Sequence, residues 1–365
     1  MSWRRTIEMR PRRVPEAPFL VLVVLFVLSG QFVSKLLGVQ FPYSSQILFG
    51  KGIRAALSLY LISLLLYTAV VLMYRYWRNQ LVERGSLFDK DAWPEFWELH
   101  VRRVLGKHLQ PSRILSALLV LGAVSVLMNT FIYFKTLIPT VHPFRWDVTF
   151  ARLDAWIHGG RQPWQHLEFL FDTPHLVWLL DRAYLAWYPV VLMTLAWQAW
   201  SGREPFRSRF MLAYGLMWVI SGVALATVFS SAGPCFLGAV TGDSTFVPLL
   251  DRLRTIDASR HLAAPHLQEY LWQGYTGQSD HAIEGVSAMP SLHVGISTLV
   301  ALLLNSHALP IRVAGWTFAA VTLIGSVMLA WHYAIDGYVA VVLALMTWWL
   351  SGWISSIWKG GLESC

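Results

Sequence analysis

Two short clusters carry the side chains whose types and spacing fit covalent chemistry. The first is Met289-Pro290-Ser291-Leu292-His293, and the second is His332-Tyr333-Ala334-Ile335-Asp336. Residues four apart on a helix share a face, so Asp336 is spaced to hydrogen-bond His332. A carboxylate on one imidazole nitrogen fixes the tautomer and strengthens the other nitrogen as a base or nucleophile. His293 has no carboxylate at that spacing. A nucleophile and a general acid are the inventory this pair of clusters offers. Each cluster alone has a plainer explanation. Ser291 reads equally as a helix cap, Pro290 as ordinary helix-start chemistry, and Asp336 as the cap of a following helix with His332 at an interface. The combination is far more specific than either part.

The elements that must position these residues are membrane helices. The chain has 365 residues, 55% hydrophobic and only 14% charged. Soluble domains carry about 25% charged residues, and disordered chains are far less apolar. Both classes are therefore excluded. A bilayer span needs about 20 mostly apolar residues. Eight candidates occur, at 19–37, 53–74, 114–134, 175–200, 210–229, 291–306 (short), 313–331 and 337–358. The first follows an Arg-rich start, but Gln31, Ser34 and Lys35 stand where a small-residue cleavage site would be. It reads as an uncleaved anchor.

Most of the 29 basic residues fall in the N-terminal segment and in the connections at 75–113, 203–209, 312 and 359. With both termini cytoplasmic, that pattern obeys the positive-inside rule. It explains the net charge of +8 without a nucleic-acid partner. Both histidine clusters then lie on the outer side, because the sixth and seventh spans form a hairpin. The expected location is the plasma (inner) membrane. Cys235 and Cys365 would face opposite sides and cannot pair. No cysteine spacing fits a zinc site, and neither a metal nor a cofactor is expected.

Three stretches lie between spans. Residues 77–112 contain an amphipathic, Trp-rich piece (Trp93, Phe96, Trp97, Val101) that reads either as an interfacial helix or as a plain connector. Residues 138–174 read as short helices broken by Pro139, Pro143, Pro163 and Pro174. Residues 231–290 form a loop long enough to be functional or to carry its own helices.

The paired motifs resemble those of the type 2 phosphatidic acid phosphatase superfamily, whose last two motifs are Pro-Ser-Gly-His and Ser-Arg-x5-His-x3-Asp. Pro290-Ser291-Leu292-His293 and His332-Tyr333-x-x-Asp336 look most like the branch containing inositol phosphorylceramide synthase and sphingomyelin synthase. Ser230-Ser231-Ala232-Gly233-Pro234 is similar to a short segment of the inositol phosphotransferase branch. The resemblance covers roughly 113–358. It implies an all-α polytopic bundle with a six-helix catalytic core at 113–358. Two N-terminal spans and the cytoplasmic segment make up 1–112, and a tail occupies 359–365.

By that resemblance, His332 would attack phosphorus and form a phosphohistidine. Asp336 would orient it, and His293 would protonate the leaving oxygen and then activate the acceptor. The partners implied are a phospholipid substrate and a hydroxyl acceptor, with inositol phosphate among the head groups to consider. The first motif, Lys-x6-Arg-Pro, is not recognisable, and Gly325-Ser326 replaces the Ser-Arg pair. That departure weakens a generic phosphatase reading and fits the synthase branch. Some donor must still hold the developing charge on phosphorus. The candidates for substrate binding are Ser291, Arg182, Tyr184, Arg260 and the backbone amides near Gly233. Arg182 reads equally as a packing partner of Asp181, and Tyr184 and Tyr188 as aromatic-belt residues. Arg260, His261, His266 and His281 read mostly as surface, and Lys135 and Arg145 as interface anchors. The competing readings are hydrolysis of a lipid phosphate or diphosphate, and a non-catalytic lipid transporter or scaffold. A vanadate-dependent haloperoxidase shares the two-histidine framework but fits poorly with the spans.

Overall fold

The computed structural model describes residues 15–41, 110–201, 204–278 and 286–360, with single positions between 58 and 73. The second expected span and the Trp-rich 77–112 piece lie mostly or wholly outside the described residues. Among the described residues the chain is helical, with no strand. Helix α1 is Ala17–Leu37, α2 Pro111–Val141, α3 Asp147–Ile157, α4 Pro174–Leu185 and α5 Trp187–Trp200. Helix α6, Glu204–Val219, continues through a π-helical turn, Ile220–Leu225, into Ala226–Val228. Helices α7 (Leu237–Thr241), α8 (Val247–Arg260) and α9 (Ala263–Tyr275) follow. The chain closes with α10 (Leu292–Leu304), α11 (Leu309–Met328) and α12 (Ala334–Gly360).

Six of the described helical runs are long and apolar enough to cross a membrane: 17–37, 111–141, 174–200, 205–228, 309–328 and 334–358. The chain is a multi-pass helical membrane protein. The sixth run is short, as expected, and one expected break is absent. The run at 292–304 is apolar but only 13 residues long, about 20 Å at 1.5 Å per residue. Pro139 does not break α2, which continues to Val141. The long 231–290 stretch carries helices of its own, as expected. Together with α3 and the 3₁₀ stretch Pro163–Asp172, they form a cap at one end of the bundle.

Helices α6, α10 and α12 form the centre, with α1 and α2 against α6 and with α11 against α10. The main core joins Phe19, Val124, Phe131, Phe210, Met217, Ile296 and Ala344. Outward faces stay apolar, as lipid contact requires; on α12 they include Val342, Met346, Trp349 and Trp353. A buried ion pair fixes α1 to α6: Arg207 Nε lies 3.0 Å from Glu16 Oε1, and Arg207 also donates to Ser116 Oγ at 2.7 Å. Removing one partner of such a pair typically costs about 3–5 kcal/mol. A second core ties the cap to the ends of α4, α11 and α12 through Phe150, Trp164, Tyr184, Leu249, Leu329 and Tyr333.

Candidate active site

Helix α11 ends at Met328, and the chain turns at Ala330, which holds a left-handed φ of 59°. A non-glycine residue there costs about 1–2 kcal/mol, so packing must hold the turn. It does: Ala330 is fully buried, its carbonyl accepts from Cys235 N–H at 3.1 Å, and Ser326 O accepts both Trp331 N–H and His332 N–H. Gln268 Nε2 donates to Leu329 O at 2.8 Å from α9. This turn delivers His332 to the start of α12.

His332 Nδ1 lies 3.4 Å from Asp336 Oδ2. The same oxygen accepts Tyr333 N–H at 3.0 Å. Asp336 is fully buried behind His332. With Nδ1 turned to the carboxylate, Nε2 is the ring nitrogen left for chemistry. The second cluster comes from α10. Ser291 caps it, its Oγ accepting Val294 N–H at 3.4 Å, and Ser291 N–H is bound to Asp336 O at 3.1 Å. His293 follows two residues later, with its ring centroid 6.2 Å from that of His332. Tyr184 stacks on His293 at 5.1 Å, and Trp187 lies at 4.4 Å. Trp187 Nε1 also donates to His293 O at 3.0 Å. The aromatic packing gives His293 little freedom to rotate.

Both histidines line one cavity of about 460 Å³. Its walls come from α2, α4, α5, α6 and the 231–290 stretch, the last supplying Phe236, Leu267 and Tyr270 among others. The lining is mostly apolar and aromatic. Lys135 is the one Lys or Arg among the described residues that line it. It was expected to be an interface anchor. Its half-buried side chain instead reaches the cavity, with Nζ 5.9 Å from the Phe131 ring. The signal that could have found it is that Lys135 is the one charged residue between Arg113 and Arg145.

The remaining expected binding residues fall into two groups. Tyr184 lines the cavity. Arg182 does not: its guanidinium lies 3.3 Å from Asp181 Oδ2, donates to His261 O and sits over Trp178. Arg182 is therefore a cap-packing residue, and Arg260 is exposed away from the lining. The Gly233 amide is already taken, donating to Asp147 Oδ1 at 2.8 Å, so it has no bond left for a phosphate. Ser291 serves as the cap of α10. His281 lies outside the described residues. Among the described residues no group of three or more His, Cys, Asp or Glu could hold a metal ion.

Two carboxylates that the motif reading missed come from α3, and both are buried. Asp147 accepts from Ser231 Oγ at 2.8 Å, Ala232 N–H at 2.9 Å, Gly233 N–H and Tyr333 Oη at 3.1 Å. Asp154 accepts from Ala334 N–H at 2.6 Å and Ile335 N–H at 2.9 Å. Burial pushes the Asp154 carboxyl up to about 6, and the nearby Asp336 adds to that rise. Burial likewise pushes the Tyr333 phenol and the Cys235 thiol well up, so both are neutral near pH 7. Nothing local in the sequence marks these carboxylates, because their partners lie some 80 to 190 positions away.

A helical membrane bundle that brings two histidines to one mostly apolar cavity, one of them facing a buried carboxylate, holds side chains of the types that acid–base or nucleophilic chemistry uses. The sequence model of the PAP2 superfamily matches residues 148–350, more than half of the chain. The chain belongs to that superfamily. No curated protein and no solved structure matches it. Membership points to phosphatase or phosphotransferase chemistry on lipid phosphates.

Proposed function

We propose that the protein is a lipid phosphotransferase, moving a phospho-head group from a phospholipid to a hydroxyl acceptor by double displacement. The observation that carries this reading is the asymmetry of the histidine pair. The rings lie 6.2 Å apart, and only His332 has a carboxylate behind it. His332 Nε2 attacks phosphorus and displaces the lipid alkoxide, whose oxygen takes a proton from His293. Neutral His293 then removes the proton of the acceptor hydroxyl. That oxygen attacks phosphorus and releases His332. Asp336 stabilises the positive charge that His332 carries in the intermediate. The 3.4 Å separation is long for an N–H···O bond. Such contacts commonly tighten once the substrate is bound.

Lys135 is the side chain best placed to hold the negative phosphoryl oxygens. The apolar, aromatic lining supports transfer over hydrolysis, since hydrolysis needs water at the phosphohistidine. Lys135 also supports a second reading, hydrolysis of a lipid phosphomonoester, because a cation at the cavity wall attracts a dianion more strongly than a monoanion. The positive-inside pattern supports cytoplasmic termini and an active site facing outside.

The deciding experiment incubates purified protein in lipid micelles, without divalent metal, with labelled phosphatidylinositol or other phospholipids and candidate hydroxyl acceptors. Transfer that His332→Ala abolishes, with the labelled phospho-head group held acid-labile on His332 after rapid quenching, is the expected result. Release of phosphate alone selects the second reading. No turnover of any lipid by folded protein overturns both and leaves the transporter or scaffold reading.

A further inference from the structure

We propose that Asp154 is a positioning residue for the His332–Asp336 pair, holding the first turn of α12 from the cap helix α3. This inference rests on the reading of His332 as the nucleophile.

A helix begins with N–H groups that have no partner within the helix. A side chain at the N-cap usually accepts one or two of them. At the start of α12 the residue in that place is Tyr333, whose side chain has no such acceptor and whose hydroxyl is bound to Asp147. The first two helical amides, of Ala334 and Ile335, go instead to the two oxygens of Asp154. The N–H before them, that of Tyr333, goes to Asp336 Oδ2. That oxygen is also the one facing His332. The aim of Asp336 therefore depends on the backbone of 333–335, and Asp154 fixes that backbone. Asp154 touches neither histidine in the hydrogen-bond pattern, so it acts through Asp336.

The location of the anchor supports the assignment. Asp147 and Asp154 are seven residues apart on α3, about two turns, and so share a face. One holds the 231–233 segment and the Tyr333 hydroxyl. The other holds the next two amides of the same strand of chain. A short helix of the cap thus sets where α12 begins relative to the cavity wall.

The test uses the full-length protein in micelles with Asp154→Asn, which keeps the shape and loses the second acceptor. A second variant, Ala334→Pro, removes one donor while Asp154 stays in place; proline is accepted in the first helical turn. The readout that needs no substrate is the rate at which diethyl pyrocarbonate acylates His332, followed by mass spectrometry, with His307 as the internal reference. Both variants should slow acylation of His332 about fivefold to tenfold relative to His307. With a lipid that the wild type turns over, kcat should fall about ten- to hundred-fold and KM should stay within twofold. Unchanged labelling and kcat in Asp154→Asn would overturn the proposal. So would a parallel loss of melting temperature and rise in KM, which marks a general structural role. If the wild type turns over no lipid, the phosphotransfer reading fails, while the labelling rate still decides whether Asp154 sets the reactivity of His332.

Discussion

Asp336 Oδ2 lies 3.4 Å from His332 Nδ1 and 3.0 Å from the backbone N–H of Tyr333. One oxygen thus faces the imidazole and accepts the backbone N–H of its neighbour, and in the proposed mechanism it would also stabilise the positive charge on the ring. Asp336→Asn keeps the volume and removes that charge. It should lower kcat at least about 10²-fold, the lower range for this kind of assistance, and leave KM nearly unchanged. Steady-state kinetics on the lipid turned over by the wild type checks this. An effect confined to a raised KM would contradict the assignment.

His293 is held among Tyr184 and Trp187 and lacks a carboxylate partner. If it protonates the leaving oxygen, its loss should matter little when the leaving group needs no proton. His293→Gln should therefore release nitrophenolate from a nitrophenyl phosphodiester in a burst of about one equivalent per enzyme. It should then stall, because the acceptor is no longer deprotonated. A stopped-flow trace showing no burst would place His293 in the first step regardless of leaving group.

Lys135 is the one Lys or Arg among the described residues of a mostly apolar lining that also includes Asp181. Lys135→Met should reduce kcat/KM about 10- to 100-fold, within the range of losing a charge-assisted bond of about 1.5–3 kcal/mol. Lys135→Arg should recover part of it. Comparing a phosphodiester with the matching monoester tells the two proposed activities apart, since the monoester carries more charge for Lys135 to hold.

Gly233 has φ 99° and ψ 167°, a region essentially reserved for glycine. A Cβ there would lie 2.9 Å from Trp331 O and 3.2 Å from Ala288 Cβ. The role expected from the motif was an amide donor to phosphate. The structure makes this glycine the place where the 231–236 loop lies against the turn before His332. Gly233→Ala should destabilise the protein by about 1–3 kcal/mol and lower kcat by shifting His332. Thermal unfolding in micelles, with activity measured well below the transition, separates the two effects.

The sequence made the spans legible because a bilayer imposes length and apolarity on each helix, and α1, α2, α6, α11 and α12 stand close to where hydropathy sets them. The motif spacing singled out His293, His332 and Asp336, and the structure brings the two rings to one cavity, although His332 lies in the bend before α12 rather than on a helix. Arg182 and Arg260 were plausible phosphate ligands by charge alone, but charge says nothing of direction, and Asp181 claims Arg182. Asp147, Asp154 and Lys135 were missed for the opposite reason. Each acts across elements far apart in the chain, and a lone acid on a short cap helix looks like a solvated residue until its partners are seen.

Asp154 also gives the fold a pH dependence of definite sign. Burial, and then the charge of Asp336, raise its carboxyl from 3.8 to about 6, against the lowering effect of the Ala334 and Ile335 amides and of His158. The titratable groups facing it are Asp336 at the start of α12, Tyr338 further along α12, and His158 just past the end of α3. A folded carboxyl that holds its proton more tightly than the unfolded one favours folding when protonated. Its contribution is fully present below about pH 3.8 and is lost as pH rises through about 6. The difference amounts to about 3 kcal/mol. Asp154→Asn removes this term. The variant should lose less stability from pH 5 to 8 than the wild type does. At pH 8 the variant should be at least as stable as the wild type while turning over more slowly. Melting temperatures in micelles across that range check the point. A variant less stable than the wild type at pH 8 would show that the two backbone bonds to the ionised carboxylate outweigh the cost of burying it.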